Sequence, residues 1–182
     1  MTWRTHITFG LTFTVFGFTI LSLPFNPFGI IIAAFGALFP DLDASESKIK
    51  NLKLSKKKGL LSLIKPFEVL GFIFNKTLGH RGALHSLAGL VVFSYIAYLV
   101  SSFFGEPLFF IYFSLGFLSH LLSDMLTKSG VEIFYPWKKN FRLLPRVIAI
   151  RSNSFFDEAL FVIFGFIFIL WFWAYFKMDI LG

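Results

Sequence analysis

Charged residues stay out of five apolar stretches in this chain, near residues 7–23, 28–39, 87–104, 108–125 and 159–176, except for Asp124 at the end of the fourth. A helix needs about 20 apolar residues to cross a hydrocarbon core, and only helices or closed barrels satisfy their backbone there. The pattern therefore predicts an all-α, polytopic integral membrane protein with about five transmembrane helices. The second stretch is short for a crossing and is expected to be tilted or sheltered by its neighbours. Composition points the same way. The chain is 56% hydrophobic, above the roughly 45–50% of soluble domains, and its 28 phenylalanines are more than a small aqueous core could bury. Cysteine is absent, so disulfides and thiolate metal sites are excluded, leaving His, Asp and Glu as ligands.

Turn residues Pro24, Asn26 and Pro27 separate the first two stretches, and Gly105, Glu106 and Pro107 separate the third and fourth. Two basic loops follow the positive-inside pattern, residues 44–59 with Lys48, Lys50, Lys53 and Lys56 to Lys58, and residues 138–156 with Lys138, Lys139, Arg142, Arg146 and Arg151. Both are expected in the cytoplasm. Residues 60–75 are apolar but carry Lys65, Pro66 and Glu68, which are costly at a bilayer centre, so they read as an interfacial or re-entrant helix. This topology puts the N-terminus inside and makes residues 1–182 one membrane-embedded domain. No small-residue cleavage site follows the first stretch, so it is expected to remain as an anchor. Trp171, Trp173 and Tyr175 suit the aromatic belt at the exit of the last span. The lysine loop reads as a topology signal with affinity for anionic lipid, and no nucleic-acid binding is expected from it.

With that topology every histidine falls on one leaflet. His120 and Asp124 are i and i+4 on one helix face, a chelating geometry. His6 opens the first span, Asp41 and Asp43 close the second, and His80 and His85 precede the third. The candidate metal ligands are His6, Asp41, His80, His85, His120 and Asp124, for a divalent ion, Zn²⁺ first and Mn²⁺ or Fe²⁺ next. PDLD, read as extended, would point Asp41 and Asp43 to one side, with Asp43 as base or as partner of a liganding imidazole. Arg81 could grip an anionic oxygen, and Glu158 could supply an acid. Each group also has a plainer reading: a solvated helix end, a headgroup-facing loop, or an acidic first turn favoured by the helix dipole. Ser86 is the expected N-cap of the third span.

THITFG, PDLD, HRGALHS and GFLSHLLSDMLTKSGVEIFYPW with FRLLP after it resemble the YdjM-like family of inner-membrane metal-dependent hydrolases, also described as LexA-binding. The resemblance covers nearly the whole chain. It implies a membrane-bound hydrolase with His6, Asp41, Asp43, His80, His85, His120 and Asp124 as its polar signature, joined by Arg81, Thr127 and Glu158. Ala44 stands where a histidine often follows PDxD, and Ala83 and Leu84 replace a Phe-Thr pair. The expected chemistry is hydrolysis of an ester or phosphoester of a lipid or amphiphile at headgroup depth. The alternatives are a metal-ion or proton transporter and a non-catalytic membrane scaffold or regulator.

Overall fold

The computed structural model describes residues 1–43 and 83–181. The lysine loop at 44–59, the expected interfacial helix at 60–75, His80 and Arg81 lie outside the described residues, as does the side chain of Asp43. Five α-helices carry the fold: α1 Trp3–Ile20, α2 Gly29–Leu38, α3 Leu87–Phe103, α4 Phe109–Met125 and α5 Phe155–Leu181. They coincide with the five apolar stretches to within a few residues. In α5 the segment Phe155–Lys177 is long and apolar enough to cross a membrane, and none of its apolar window is buried within the chain. The apolar helices Gly29–Leu42, Leu87–Phe103 and Phe109–Met125 are shorter. The chain is all-α with several apolar helices, and α5 supports membrane association.

Helix α4 is the hub, packed against α1, α2 and α3. Small residues make its crossing with α2 close. A Cβ on Gly36 would collide with the Phe113 carbonyl, and one on Gly116 with the Ala33 carbonyl, so each helix offers a glycine to the other's backbone. Where lipid tails are as apolar as Leu, such close packing is a main attraction between helices. Around the crossing Phe113, Phe117 and Leu121 form a core with Val131 and Ile133, joined by Phe39 and Phe93. At the other end Tyr112 stacks on Phe18, with centroids 4.1 Å apart. Its hydroxyl accepts from the Asn26 backbone N–H and ties down the α1–α2 turn.

Helices α1 and α5 run parallel through a threonine stripe of heptad spacing. The Thr5 hydroxyl donates to the Asp157 carboxylate at 2.7 Å. Thr12 donates to the Phe164 carbonyl at 2.9 Å, and Trp171 Nε1 to the Thr19 hydroxyl at 3.2 Å. Asp157 also accepts from the backbone N–H of Thr2 and of Asn153. This fully buried carboxylate fastens the start of α5 to the start of α1.

The segment between α4 and α5 folds back over the helix ends. Thr127 pairs with Ile150 in parallel and Val131 with Phe141 in antiparallel fashion. The Leu87 N–H donates to the Ile133 carbonyl, which locks this segment to the start of α3.

Candidate metal centre

The sequence sets the site at one end of the bundle, where α1 begins, α2 finishes, α3 begins and α4 finishes. Ser86 caps α3 as expected, its hydroxyl accepting from the Gly89 N–H at 3.1 Å, and this places His85 directly before the helix. The PDLD stretch departs from its extended reading. Residues Phe39–Asp43 form a 3₁₀ turn that tightens the end of α2, a common way to close a helix and one that tolerates Pro40. With about three residues per turn, positions two apart no longer share a side. Asp41, on this turn, reaches the cluster.

Four side chains from three elements converge: Asp41 on the 3₁₀ turn, His85 before α3, and His120 and Asp124 on α4. His85 Nε2 lies 3.5 Å from Asp41 Oδ1 and 3.9 Å from Asp124 Oδ2, and His120 Nε2 lies 3.8 Å and 3.6 Å from the same two oxygens. A tetrahedral ion with bonds near 2.0–2.2 Å spaces its ligands by about 3.3–3.6 Å, so these separations are close to those of a coordination shell. His6 approaches from the other side, its Nε2 3.5 Å from Asp124 Oδ1 and its ring stacked on His120 at 4.0 Å. The Met1 ammonium is 3.2 Å from the same Asp124 oxygen. Two overlapping trios, His6–His120–Asp124 and Asp41–His85–His120, are each compact enough to hold a metal ion.

The hydrogen bonds around the rings decide what they can do. His120 Nδ1 is 2.7 Å from the Ala37 carbonyl, which can only accept, so Nδ1 carries the proton and the neutral ring leaves its lone pair on Nε2. That Nε2 is buried and has no hydrogen-bond partner among the described residues. Ser123 donates its one proton to the His120 carbonyl at 2.8 Å. It must therefore accept from His6 Nδ1, 2.7 Å away, which again leaves Nε2 bare. Two imidazole lone pairs thus face ionisable carboxylates. Such an arrangement is repulsive unless a cation or a proton stands between, and a ring N–H held by a carbonyl or hydroxyl is the usual outer support of a metal-binding histidine. Burial works hardest on Asp41, against its charged form. The imidazoles of His120, His85 and His6 together outweigh it and hold the carboxyl well below the usual carboxylate range.

Of the sequence-derived candidates, His6, Asp41, His85, His120 and Asp124 come together. Thr127 stands just behind them, its hydroxyl donating to the Asp124 carbonyl. Glu158 is exposed on the first turn of α5, while its neighbour Asp157 is the buried carboxylate. Ser123 and the Ala37 carbonyl were not read from the sequence, although Ser123 sits one turn after His120, where a hydroxyl can reach back to it. Beside His85 and Asp124 opens a cavity of about 270 Å³, walled by Ser129, Gly130, Val131, Glu132 and Asn140.

Comparison with known proteins agrees with the inner-membrane reading. The family described as YdjM inner membrane protein matches residues 1–180. The chain is 39% identical to the inner membrane protein YdjM of Escherichia coli (strain K12) over 94 residues, 48% of this chain and 46% of that protein. The same figures hold for the Shigella flexneri protein of that name. The match thus spans about half the length of these curated relatives. The uncharacterized protein YvsG of Bacillus subtilis (strain 168) is 24% identical over 161 residues, covering 87% of this chain and 86% of that protein. No solved structure matches. The chain belongs to the YdjM inner membrane protein family.

Proposed function

We propose that this protein is a multi-pass membrane hydrolase that uses a divalent ion, Zn²⁺ first and Mn²⁺ or Fe²⁺ next, to cleave an ester or phosphoester of an amphiphile. The observation that carries the reading is the buried His120 Nε2, fixed as a bare lone pair by the Ala37 carbonyl and facing two carboxylates. His85, His120, Asp41 and Asp124 would hold the ion, with His6 steadying the second oxygen of Asp124. A bound Zn²⁺ that kept one position open would supply a water activated near neutral pH and would polarise the substrate's oxygen. The chain's own residues do the rest: Ser123 and the Ala37 carbonyl fix the imidazoles, Asp124 orients through both oxygens, and the adjoining cavity admits substrate to one side of the cluster. Asp43 as base, Arg81 as anion holder, Glu158 as acid and His80 as a further ligand complete the proposal.

The five-span topology with a cytoplasmic N-terminus belongs to this reading. It is supported by His6, Asp41, His85 and Asp124 gathering at one end, which an even number of crossings before α3 requires. An apolar cavity of about 480 Å³ between α2, α3 and α4, bordered by Phe39, Phe93 and Phe113, favours a substrate with a hydrocarbon part. Neither the family description nor the relatives' names mention hydrolysis or LexA, and both come to this chain as proposals. Transport is less favoured, because alternating access needs ionisable groups reachable from both sides near the midplane. The test is elemental analysis of the detergent-purified protein, followed by a screen of phosphodiesters and carboxyl esters. About one or two ions per chain, with product release that stops on chelation, is the expected result. A metal-free protein after reloading would overturn the proposal.

A further inference from the structure

The polar cavity beside the cluster has a wall whose hydrogen-bonding sense can be worked out atom by atom. Thr127 gives its hydroxyl proton to the Asp124 carbonyl at 2.7 Å. The 2.8 Å contact between Thr127 and Ser129 must then be donated by Ser129, so the Ser129 oxygen can only accept from whatever enters. Glu132, on the same wall, is half-buried; its backbone carbonyl accepts from the Tyr135 N–H, and its carboxylate has no hydrogen bond or ion pair among the described residues. An ionised carboxylate is also an acceptor alone. Asn140 can serve either way. No lysine or arginine among the described residues lines the cavity. The Val131–Phe141 pairing holds this wall together, since it brings Glu132 and Asn140 side by side across one bridge.

Among the described residues this wall is mainly acceptors with one carboxylate and no cation paired to it, which suits a group that is cationic and rich in N–H donors better than a bare dianionic phosphate. We infer that this cavity recognises the primary ammonium of an aminoalcohol headgroup, with Glu132 and Ser129 as its specificity-determining contacts and the phosphodiester lying toward His85 and Asp124. This inference rests on the proposed metal site for the direction of the phosphodiester, and on the cavity alone for the ammonium.

The probes are sn-glycero-3-phosphoethanolamine, sn-glycero-3-phosphocholine and sn-glycerol 3-phosphate, titrated calorimetrically into the full chain in neutral detergent, with and without Zn²⁺. The ethanolamine compound is expected to bind wild type at least about tenfold more tightly than the choline compound, which keeps the charge but has no N–H to donate. Glu132→Gln should abolish that preference, Ser129→Ala should reduce it, and Glu132→Asp should retain part of it. Because the Glu132 carboxylate has no partner among the described residues, near-ultraviolet circular dichroism should be unchanged in its variants. Equal binding of the choline compound, or an undiminished preference in Glu132→Gln, would overturn the inference. Metal content measured on the same samples keeps the two questions apart. A metal-free wild type would sink the metallohydrolase reading, while the ammonium preference in the zinc-free titration would still decide this one.

Discussion

Removing the His120 ring tests the centre most directly. A four-ligand structural zinc site is worth roughly 10–16 kcal/mol in binding free energy, so one ligand of four carries on the order of 3 kcal/mol, or about two orders of magnitude in affinity. His120→Ala should weaken Zn²⁺ binding by about that factor, measured by competition with a chromophoric chelator in detergent. The ring is fully buried and stacked on His6, so its loss also leaves a void, which could cost about 2–5 kcal/mol of stability and blur the result. His120→Gln removes that ambiguity. It nearly keeps the volume, and its amide N–H₂ can still donate to the Ala37 carbonyl, so the fold contact survives while the imidazole lone pair does not. Both variants should lose affinity, with only His120→Ala showing a large drop in thermal stability. Zinc affinities within threefold of wild type in both would refute the reasoning, because they would leave the bare Nε2 with no part in holding a cation.

Ser123→Ala takes the acceptor from His6 Nδ1 and a donor from the His120 backbone carbonyl while leaving both imidazoles in place, and should cost about 10-fold in metal affinity, with the His6 tautomer shift visible by nitrogen-15 NMR. An unchanged tautomer would show that Ser123 does not set the ring. Asp157→Ala strands the donors of Thr2, Thr5 and Asn153 and should destabilise the protein by on the order of 3 kcal/mol in denaturant unfolding, with Asp157→Asn milder. A loss under about 0.5 kcal/mol would mean that the α1–α5 fastening is incidental. Zinc affinity should fall on acidification, since protons compete for the imidazole nitrogens. Asp41, held below the usual carboxylate range, stays ionised to lower pH than an ordinary aspartate. A mildly acidic loss of metal should therefore persist in an Asp41→Asn variant, and its disappearance there would move the titrating group to the carboxylate.

The helices were legible because a long uncharged apolar run bounded by turn residues has few stable alternatives, and their ends were legible where a cap or turn residue announced them, as at Ser86. The candidate pair His120 and Asp124 was legible for a similar reason: both lie on one helix, and the helical period fixes their relation. What the sequence hid depends on how separate segments meet. PDLD looked extended because proline and alternating aspartates suggest it, but the chain was leaving a helix, and tightening into a 3₁₀ turn satisfies its last carbonyls. The stripe Thr5, Thr12 and Thr19 looked neutral within an apolar helix, and only the parallel course of α5 turns its seven-residue period into a seam. Asp157 and Glu158 are indistinguishable by residue type, and the rotation of α5 against α1 buries the first and exposes the second.

The acceptor wall is the extreme case, since Ser129, Glu132 and Asn140 meet only through an isolated bridge that no periodicity encodes. The division has a physical basis. The His120–Asp124 part of the candidate centre lies on one helix face and is written in local spacing, whereas the surface that would choose a substrate is written in the packing of a loop. Two members of such a family could therefore share the HRGxxHS and SHLLSD signatures and still differ in what they accept. Within this chain, exchanging residues 129–140 should change ligand preference while leaving metal affinity in place.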